Sequence, residues 1–338
     1  MKLIRPIVKV GMAGIVAVAI LCCIFSFYSA EPVHIANIKG NTDYTWPANS
    51  EWRQMKEGIS WGRYDANGYN NLQVVADPDV LILGSSHMEA KNVMQNENTA
   101  YFLNSMLAGD YTVYNLGISG HHFTKVCKYL PVTMELYAKE PKIVIIETDT
   151  VFFTRGDVEK LVQGKLEVTP SHSSGLIAML QKLPFFRLVY HQLDGGLLDL
   201  LMPEKEQNAL PAVTQEKQVD EEAYSTLFAY LHDVMKDYDS QVIIFYHPTE
   251  KLQSDGTISF DGNYGAEAFG RKCEEYGITF VNMEASFLEM FDEEHKVPHG
   301  FTTGKIGAGH LNADGHRCVA QELAEAIAEL EKEGKLCK

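Results

Sequence analysis

Basic residues are in short supply in this chain. Its 338 residues include 29 lysines and arginines against 45 aspartates and glutamates, which gives a formal net charge of −16 at pH 7. Because phosphate backbones are bound by basic surfaces, this balance argues against a nucleic-acid partner. The first 30 residues reverse the sign, since they contain Lys2, Arg5 and Lys9 and no acid.

Cysteine is also scarce, and its spacing matches no standard metal motif. Of the six cysteines, Cys22 and Cys23 lie in an apolar run, and Leu21 is not the small residue that a bacterial lipoprotein site requires. The other four are far apart: Cys127, Cys273, Cys318 and Cys337. They are compatible with disulfides in an oxidising compartment and equally with buried free thiols. No metal or organic cofactor is expected.

Charge is absent from residues 11–28, which are almost wholly apolar and about as long as a membrane-spanning helix. The cations precede this run and Glu31 follows it, so the positive-inside rule predicts a cytoplasmic N-terminus and an extracytoplasmic remainder. Residues 1–30 are then either a cleaved signal or an anchor. Tyr28, at position −3 before Ala30, is a poor cleavage residue and favours the anchor.

A sustained hydrophobic period is missing from residues 31–75, which we interpret as a tether and an irregular flap. Residues 76–338, in contrast, have a sustained hydrophobic pattern. Short, β-branched apolar runs recur at 79–84, 111–117, 142–148, 241–247 and 278–284. Helical patterns lie between or after them at 122–138, 219–237, 264–276 and 313–333. This alternation predicts an α/β domain with a doubly wound parallel sheet.

Residues 155–217 interrupt this alternation. They combine a serine-rich loop, an amphipathic stretch and a polar segment rich in Glu and Gln. We interpret them as an insertion after the third strand. A segment of this length is either a lid over a binding site or a structural cap on one face of the sheet.

The predicted strand ends carry residues suited to acyl transfer. In open parallel sheets, ligands bind outside the carboxyl ends of the strands. The first three strands end in GSSH (84–87), NLGISGHH (115–122) and ETDT (147–150), and His310 precedes the last helix. These segments offer a nucleophile, a base and amide donors for an oxyanion.

The order of these segments resembles the SGNH (GDSL-type) hydrolases over roughly residues 77–330. The resemblance implies a flavodoxin-like fold in which Ser86 is the nucleophile and Ser85 occupies the usual Asp position. It also implies that Gly120 of NLGISG supplies an oxyanion amide and that His310 is the base. Asp149 stands where the family has an oxyanion-donating Asn.

Two departures from the family pattern affect the predicted mechanism. The usual acid three residues before His310 is replaced by Gly307. A backbone carbonyl, Asp314 or an acid from another loop is then needed to orient the imidazole. Asp149, if ionised, would repel an oxyanion, so it is either protonated or has another task, such as ordering the GSSH turn.

Several neighbouring residues have a structural alternative. Ser86 or Ser85 could simply cap the next helix. We expect Ser85, His87 and His121 to contact substrate, with plain turn residues as the alternative; the histidine spacings fit no zinc motif. Three tryptophans, Trp46, Trp52 and Trp61, could stack on sugar rings, although packing of the flap is the favoured interpretation.

The resemblance extends to membrane-anchored envelope proteins that add acyl groups to alginate or teichoic acids. It implies an extracytoplasmic serine esterase that acts on O-acetyl esters of a cell-envelope polysaccharide, with an acylated carbohydrate or cell-wall glycopolymer as partner. An O-acetyltransferase supplied by a membrane-bound acyl-transfer partner is the first alternative. A non-catalytic polysaccharide-binding or assembly protein with an eroded site is the second.

Overall fold

The computed structural model describes residues 4–28, 35–36, 44–55, 57–107, 109–165, 183, 185, 219–260 and 263–336. Most of the predicted insertion at 155–217 lies outside these residues. Helix α1, Ile4–Tyr28, contains a segment, Pro6–Ile24, that is long and apolar enough to cross a membrane. A signal sequence would have the same length and composition.

The region predicted as an irregular flap contains short antiparallel strands. β1 (Ile35–Ala36) pairs with β2 (Tyr44–Thr45), and β3 (Glu51–Gln54) forms a hairpin with β4 (Ser60–Arg63). We call residues 44–75 the flap. Trp46, Trp52 and Tyr64 are fully buried and form a small core within it. Trp61, in contrast, is 56% exposed.

The main sheet is parallel and, in the described part of the chain, has five strands. They are β5 (Val80–Leu83), β6 (Val113–Asn115), β7 (Ile143–Thr148), β8 (Gln241–Tyr246) and β11 (Thr279–Asn282). Their spatial order is β6–β5–β7–β8–β11, that is, 2-1-3-4-5 counted along the chain. This is the flavodoxin-like order. The predicted fold class and all five predicted strands are confirmed. A separate hairpin joins β9 (Glu250–Leu252) to β10 (Ile258–Phe260).

Helices follow the strands and cover both faces of the sheet. They are α2 (Ser86–Glu89), α3 (Thr99–Met106), α4 (Phe123–Met134), α5 (Arg155–Val162), α6 (Glu221–Met235), α7 (Asn263–Glu275), α8 (Glu284–Glu294) and α9 (Ala313–Lys332). The four predicted helices correspond to α4, α6, α7 and α9. A single-turn 3₁₀ helix, Gln95–Glu97, precedes α3.

Alternation along the strands divides the core between the two faces. In β7, Val144 and Ile146 belong to the core under α4–α7, whereas Ile143 and Ile145 belong to the core under α3, α8 and α9. All four side chains are completely buried, which explains why the strand has no polar face. Burial of each such side chain contributes roughly 1.5–3 kcal/mol to folding.

The register of the sheet brings the strand ends to one edge. Leu83 of β5 is aligned with Ile146 of β7, and Thr148 of β7 with Tyr246 of β8. The residues that follow β5 and β8, and the last residues of β7, therefore converge. The loop between α8 and α9 reaches the same edge, where His310 lies.

Candidate active site

Ser86 lies at the start of α2, directly after the turn that ends β5. Ser85 is the N-cap of this helix, because its side chain accepts a hydrogen bond from the His87 backbone N–H (3.3 Å). Ala90 ends the helix in a left-handed conformation after one turn. Since Ser85 performs the capping, the Ser86 hydroxyl is available for another partner.

That partner is His310. Ser86 Oγ lies 2.8 Å from His310 Nε2, and His310 Nδ1 lies 2.8 Å from Glu57 Oε2. The His310 backbone N–H also donates to Glu57 Oε1 (2.6 Å). A carboxylate accepts, so it places the ring proton on Nδ1 and leaves the Nε2 lone pair facing the serine hydroxyl. The three side chains form a serine–histidine–glutamate chain.

Glu57 comes from the flap and supplies the acid that Gly307 lacks. The sequence allows a backbone carbonyl, Asp314 or an acid from another loop in this position, and the group that contacts His310 Nδ1 is an acid from another loop. Asp314 points elsewhere, because it pairs with Lys296 at 2.9 Å and Arg317 at 3.0 Å. Glu57 could not be identified by spacing, since it lies 253 residues before His310.

The tip of the β3–β4 hairpin is fastened to the main domain on two sides of Glu57. The Asn92 side chain donates to the Glu57 carbonyl (2.9 Å), and the Gly58 N–H donates to Thr303 Oγ1 (2.9 Å). On the other side of the carboxylate is Gly309, whose φ is +91°. A Cβ there would lie 2.0 Å from Glu57 Oε1, so only glycine leaves room for the acid.

The carboxylate that orders the serine turn is Glu147, at the end of β7. It is 2% exposed and accepts hydrogen bonds from the Ser85 backbone N–H (2.5 Å) and the Ser85 hydroxyl (3.0 Å). A Cβ at Gly84 would lie 2.5 Å from Glu147 Oε2, so this glycine permits the close approach. Ser85 is itself 4% exposed, and its predicted contact with substrate stays a prediction.

Asp149 is exposed at the surface, two residues beyond Glu147. Sequence analysis selected it because it falls where the family has an Asn. The buried acid of this strand end is Glu147 instead, which the sequence pattern treated as part of the strand. A catalytic role for Asp149 stays a prediction.

Gly120 lies in a loop that another buried acid, Glu89, holds against α2. Glu89, 1% exposed, accepts from the Ser119 backbone N–H (2.6 Å), Trp46 Nε1 (2.6 Å) and the Tyr64 hydroxyl (2.8 Å). Gly120 has a φ of +81°, which favours glycine. Glu89 thus joins the flap, the helix of Ser86 and the Gly120 loop. The oxyanion amide of Gly120 stays a prediction.

The two predicted substrate-binding histidines have different surroundings. His121 is 3% exposed, stacks on Tyr129 at 5.5 Å and contacts the edge of Tyr44 at 5.5 Å. His87 is half-buried, and its ring lies 5.0 Å from that of His310. Burial, together with nearby histidines, holds the pKa of His87 well below its ordinary value, so the ring is neutral near pH 7. Substrate contact by either histidine stays a prediction.

Sequence analysis missed four buried or half-buried acids and one histidine around the site. They are Glu57, Glu89, Glu147, Glu250 and His299. The one available signal was the pair of glycines at 307 and 309, because a loop without side chains beside a base leaves room for an acid from elsewhere. The arrangement provides a hydroxyl hydrogen-bonded to a base (Ser86), a base with a fixed tautomer (His310) and a glycine turn (Gly120). These are the groups that acyl transfer requires.

Comparison with known proteins gives only distant structural similarity. No protein-family model matches the chain, and no curated protein matches it. Solved structures that align include an acetyl xylan esterase, AlAXEase, with 16% identity over 73% of this chain and 99% of that chain and a TM-score of 0.39. LAE5, an alpha/beta hydrolase enzyme from the metagenome of Lake Arreo, Spain, aligns with 15% identity over 75% of this chain and 97% of its own, with a TM-score of 0.41. A catalytic mutant of Axe2, an acetylxylan esterase from Geobacillus stearothermophilus, aligns with 15% identity over 75% of this chain and 95% of its own, with a TM-score of 0.40.

Proposed function

We propose that this chain is a serine esterase of the SGNH type, with Ser86 as nucleophile, His310 as general base and Glu57 as the acid that orients it. The observation that carries the proposal is the continuous hydrogen-bond chain Ser86–His310–Glu57, with both links at 2.8 Å. Each ring nitrogen of His310 has the partner that general-base catalysis requires. The side chains of His310 and Glu57 are 29% and 25% exposed, so the site is accessible to substrate.

The geometry supports a two-step acyl transfer. Ser86 Oγ attacks the carbonyl carbon of the ester while its proton moves to His310 Nε2, and Glu57 stabilises the imidazolium that forms. The proton then passes to the leaving alkoxide oxygen, and the acyl group remains on Ser86. An acceptor hydroxyl gives its proton to His310 as it attacks the acyl-enzyme. His310 then returns this proton to Ser86 Oγ as the bond between the acyl carbon and the serine oxygen breaks, which releases the acyl product and regenerates the serine.

Two backbone amides are the proposed oxyanion donors, those of Ser86 and Gly120. The Gly120 loop is held near α2 by Glu89, whose carboxylate accepts from the preceding residue, Ser119. An ionised side chain at Asp149 would repel the oxyanion. We therefore rest oxyanion stabilisation on the amides, which carry no charge and need no reorganisation.

The proposed substrate is an acyl ester, most specifically an O-acetyl group, on a cell-envelope polysaccharide. Two features support it: the sequence resemblance to SGNH proteins and the apolar run at residues 11–28, which follows three cations. If water accepts the acyl group the chain is an esterase; if a sugar hydroxyl accepts it, the chain is an O-acetyltransferase that works with a membrane-bound acyl-transfer partner. Both reactions share the first half-reaction and the same residues.

Covalent labelling tests the proposal directly. The full chain in detergent is treated with a fluorophosphonate probe, and hydrolysis of p-nitrophenyl acetate is followed in parallel. We expect Ser86→Ala to abolish labelling and turnover, whereas Ser105→Ala, which changes an exposed serine of α3, leaves both intact. Glu57→Gln should lower kcat by about 10²–10⁴-fold, because the amide no longer fixes the tautomer or the charge of the ring.

The matched control for the acid is Glu51→Gln, which changes an exposed glutamate on the same hairpin. Labelling that is unaffected by Ser86→Ala would refute the esterase and leave the binding protein as the better description. An acetylated and a free oligosaccharide, offered separately to the active chain, then distinguish hydrolysis from transfer.

We further propose that α1 remains attached and anchors the domain outside the cytoplasm. Its apolar segment, Pro6–Ile24, is long enough to span a bilayer, and Tyr28 disfavours cleavage after Ala30. Intact mass measured on the membrane-extracted protein should include residues 1–30. A mature protein that begins near residue 31 and is released without detergent would show that the segment is a cleaved signal.

A further inference from the structure

A second cluster of histidines lies beside the serine–histidine–glutamate chain. His247 follows β8 and is 1% exposed, and His299 precedes the loop of His310 and is completely buried. The half-buried ring of His87 packs against both, with ring centroids 4.4 Å from His247 and 5.8 Å from His299. None of these three rings has a task in the acyl-transfer steps above.

Buried carboxylates fix the outer nitrogen of two of these rings. His299 Nδ1 lies 2.6 Å from Glu250 Oε2, and Glu250 Oε1 also accepts the His299 backbone N–H (3.2 Å). His247 Nε2 lies 2.8 Å from Glu147 Oε1, and Glu147 also accepts two hydrogen bonds from Ser85. Both acids act as acceptors throughout, so each ring donates its proton outward to its carboxylate.

The inner nitrogens therefore point lone pairs at each other. His299 Nε2 and His247 Nδ1 are 3.4 Å apart, which is longer than a good N–H hydrogen bond of about 2.7–3.2 Å. Two imidazole nitrogens bound to one tetrahedral zinc at about 2.0–2.1 Å are separated by about 3.3–3.4 Å. The separation fits a shared metal ion better than a shared proton.

His87 completes a three-ligand set. One nitrogen from each of His87, His247 and His299 lies within 4.8 Å of the others, a grouping that could hold one metal ion. The one hydrogen bond described for the His87 ring is a long contact of 3.3 Å from the Leu311 N–H to Nδ1.

We propose that His87, His247 and His299 bind one divalent transition-metal ion of the zinc type. Imidazole donors suit this class of metal, and carboxylates behind ligating histidines are the usual outer partners, here Glu147 and Glu250. A dication also balances the two buried negative charges. The ligands come from α2, the residue after β8 and the segment before His310, so the ion joins the elements that carry Ser86 and His310.

Metal binding is tested on the full chain in detergent, purified through an affinity tag that uses no immobilised metal. Elemental analysis of the purified protein should find one zinc per chain. After the metal is removed with a chelator, Co²⁺ should give the intense visible absorption of a tetrahedral site, and Zn²⁺ should displace it. Neither readout depends on esterase activity.

Variants locate the site. His87→Ala, at a half-buried position, should weaken Co²⁺ affinity by more than about 100-fold, and Glu250→Gln by about 10–100-fold, as expected for an outer partner. The matched control is His316→Asn, because His316 is as buried as His247 and His299 but bonds to Thr99 Oγ1 at 2.8 Å. Circular dichroism confirms that each variant folds.

Three results would overturn the proposal. The first is a wild-type chain that neither retains zinc nor develops the Co²⁺ absorption. The second is a folded His87→Ala variant that binds Co²⁺ as tightly as the wild type. The third is loss of binding in His316→Asn as severe as in His87→Ala. The exposed His295→Ala variant checks that Co²⁺ is not bound at surface histidines.

Discussion

Two glycines determine how closely acids approach the reactive residues. Gly84 lets the Glu147 carboxylate approach the turn of Ser85, and Gly309 lets Glu57 lie against the backbone of His310. In both cases the space that a Cβ would take is filled by a carboxylate oxygen, at 2.5 Å and 2.0 Å. At these positions, glycine is required by close approach, and at Gly309 also by its φ of +91°.

Gly309→Ala should therefore move the Glu57 carboxylate away from His310 although Glu57 itself is unchanged. The new methyl group has to displace Glu57, so we expect kcat for p-nitrophenyl acetate to fall by at least about 10-fold, toward the value of Glu57→Gln. The control is Gly277→Ala, which has a similar backbone conformation, φ +69°, but open space around the Cβ position. Both variants carry a backbone cost of roughly 1 kcal/mol. An equal kcat in the two variants would mean that Glu57 is not displaced or does not matter.

The sequence identifies those site residues whose role can be recognised from a short local segment. Ser86 lies in GSSH at a strand end, and His310 precedes a strong helical pattern, so each could be proposed from local context. Glu57 could not, because its partner is 253 residues away and the intervening chain contains the whole sheet. Glu147 could not be identified for another reason: in the sequence, an acid next to an apolar run is read as the end of the strand and not as a buried residue.

Elements were predictable where one physical period dominates. Four of the five described strands of the sheet, β5–β8, are buried on both faces almost throughout, and α9 has a regular apolar stripe, so both patterns are uniform. The flap has no such pattern because its hairpin strands are only partly buried and it packs mainly through Trp46, Trp52 and Tyr64. Its hairpin nevertheless provides Glu57, so the least predictable element carries part of the site.

The flap is fixed to the main domain as an element. Its Trp46 and Tyr64 donate to the buried Glu89 of α2, and the Ser60 hydroxyl donates to the Lys91 carbonyl. Asn92 and Thr303 hold the hairpin tip from either side. A hydrogen bond to a charged acceptor contributes roughly 1.5–3 kcal/mol, so these links restrict the position of the acid. The flap is thus part of the candidate site and also packs against α2.

At the scale of the whole molecule, the candidate site combines parts that are distant in the chain at one edge of the sheet. The flap provides Glu57, the first strand end provides Ser86, the third provides Glu147, the fourth provides His247, and the loop before α9 provides His310. The flavodoxin-like strand order makes this convergence necessary, since the first, third and fourth strands are neighbours. The same convergence buries several histidines close together.

Buried histidines should make the stability of the whole fold depend on pH. Burial, reinforced by His247, His299 and His310, lowers the pKa of His316 to about 3, whereas the unfolded chain has its ordinary value near 6.5. Between these values the unfolded state binds a proton that the folded state excludes, so stability is full above about pH 6.5 and decreases as the pH falls toward 3. From pH 8 to pH 5 this one group costs about 2 kcal/mol.

Denaturant unfolding of the full chain in detergent, with a chelator present, measures this dependence. His316→Asn keeps a partner for Thr99 but has no titrating ring, so its free energy of unfolding should decrease less between pH 8 and pH 5, by about 2 kcal/mol. Its stability at pH 8 is expected to be lower than that of the wild type, because the smaller side chain leaves a gap in the core. His295→Asn, at an exposed histidine, should follow the wild-type pH dependence. If the free energy of unfolding depends on pH in the same way in the wild type and in His316→Asn, the prediction is wrong. His316 would then take up a proton in the folded chain, stabilised by a charge that the contact with Thr99 does not provide.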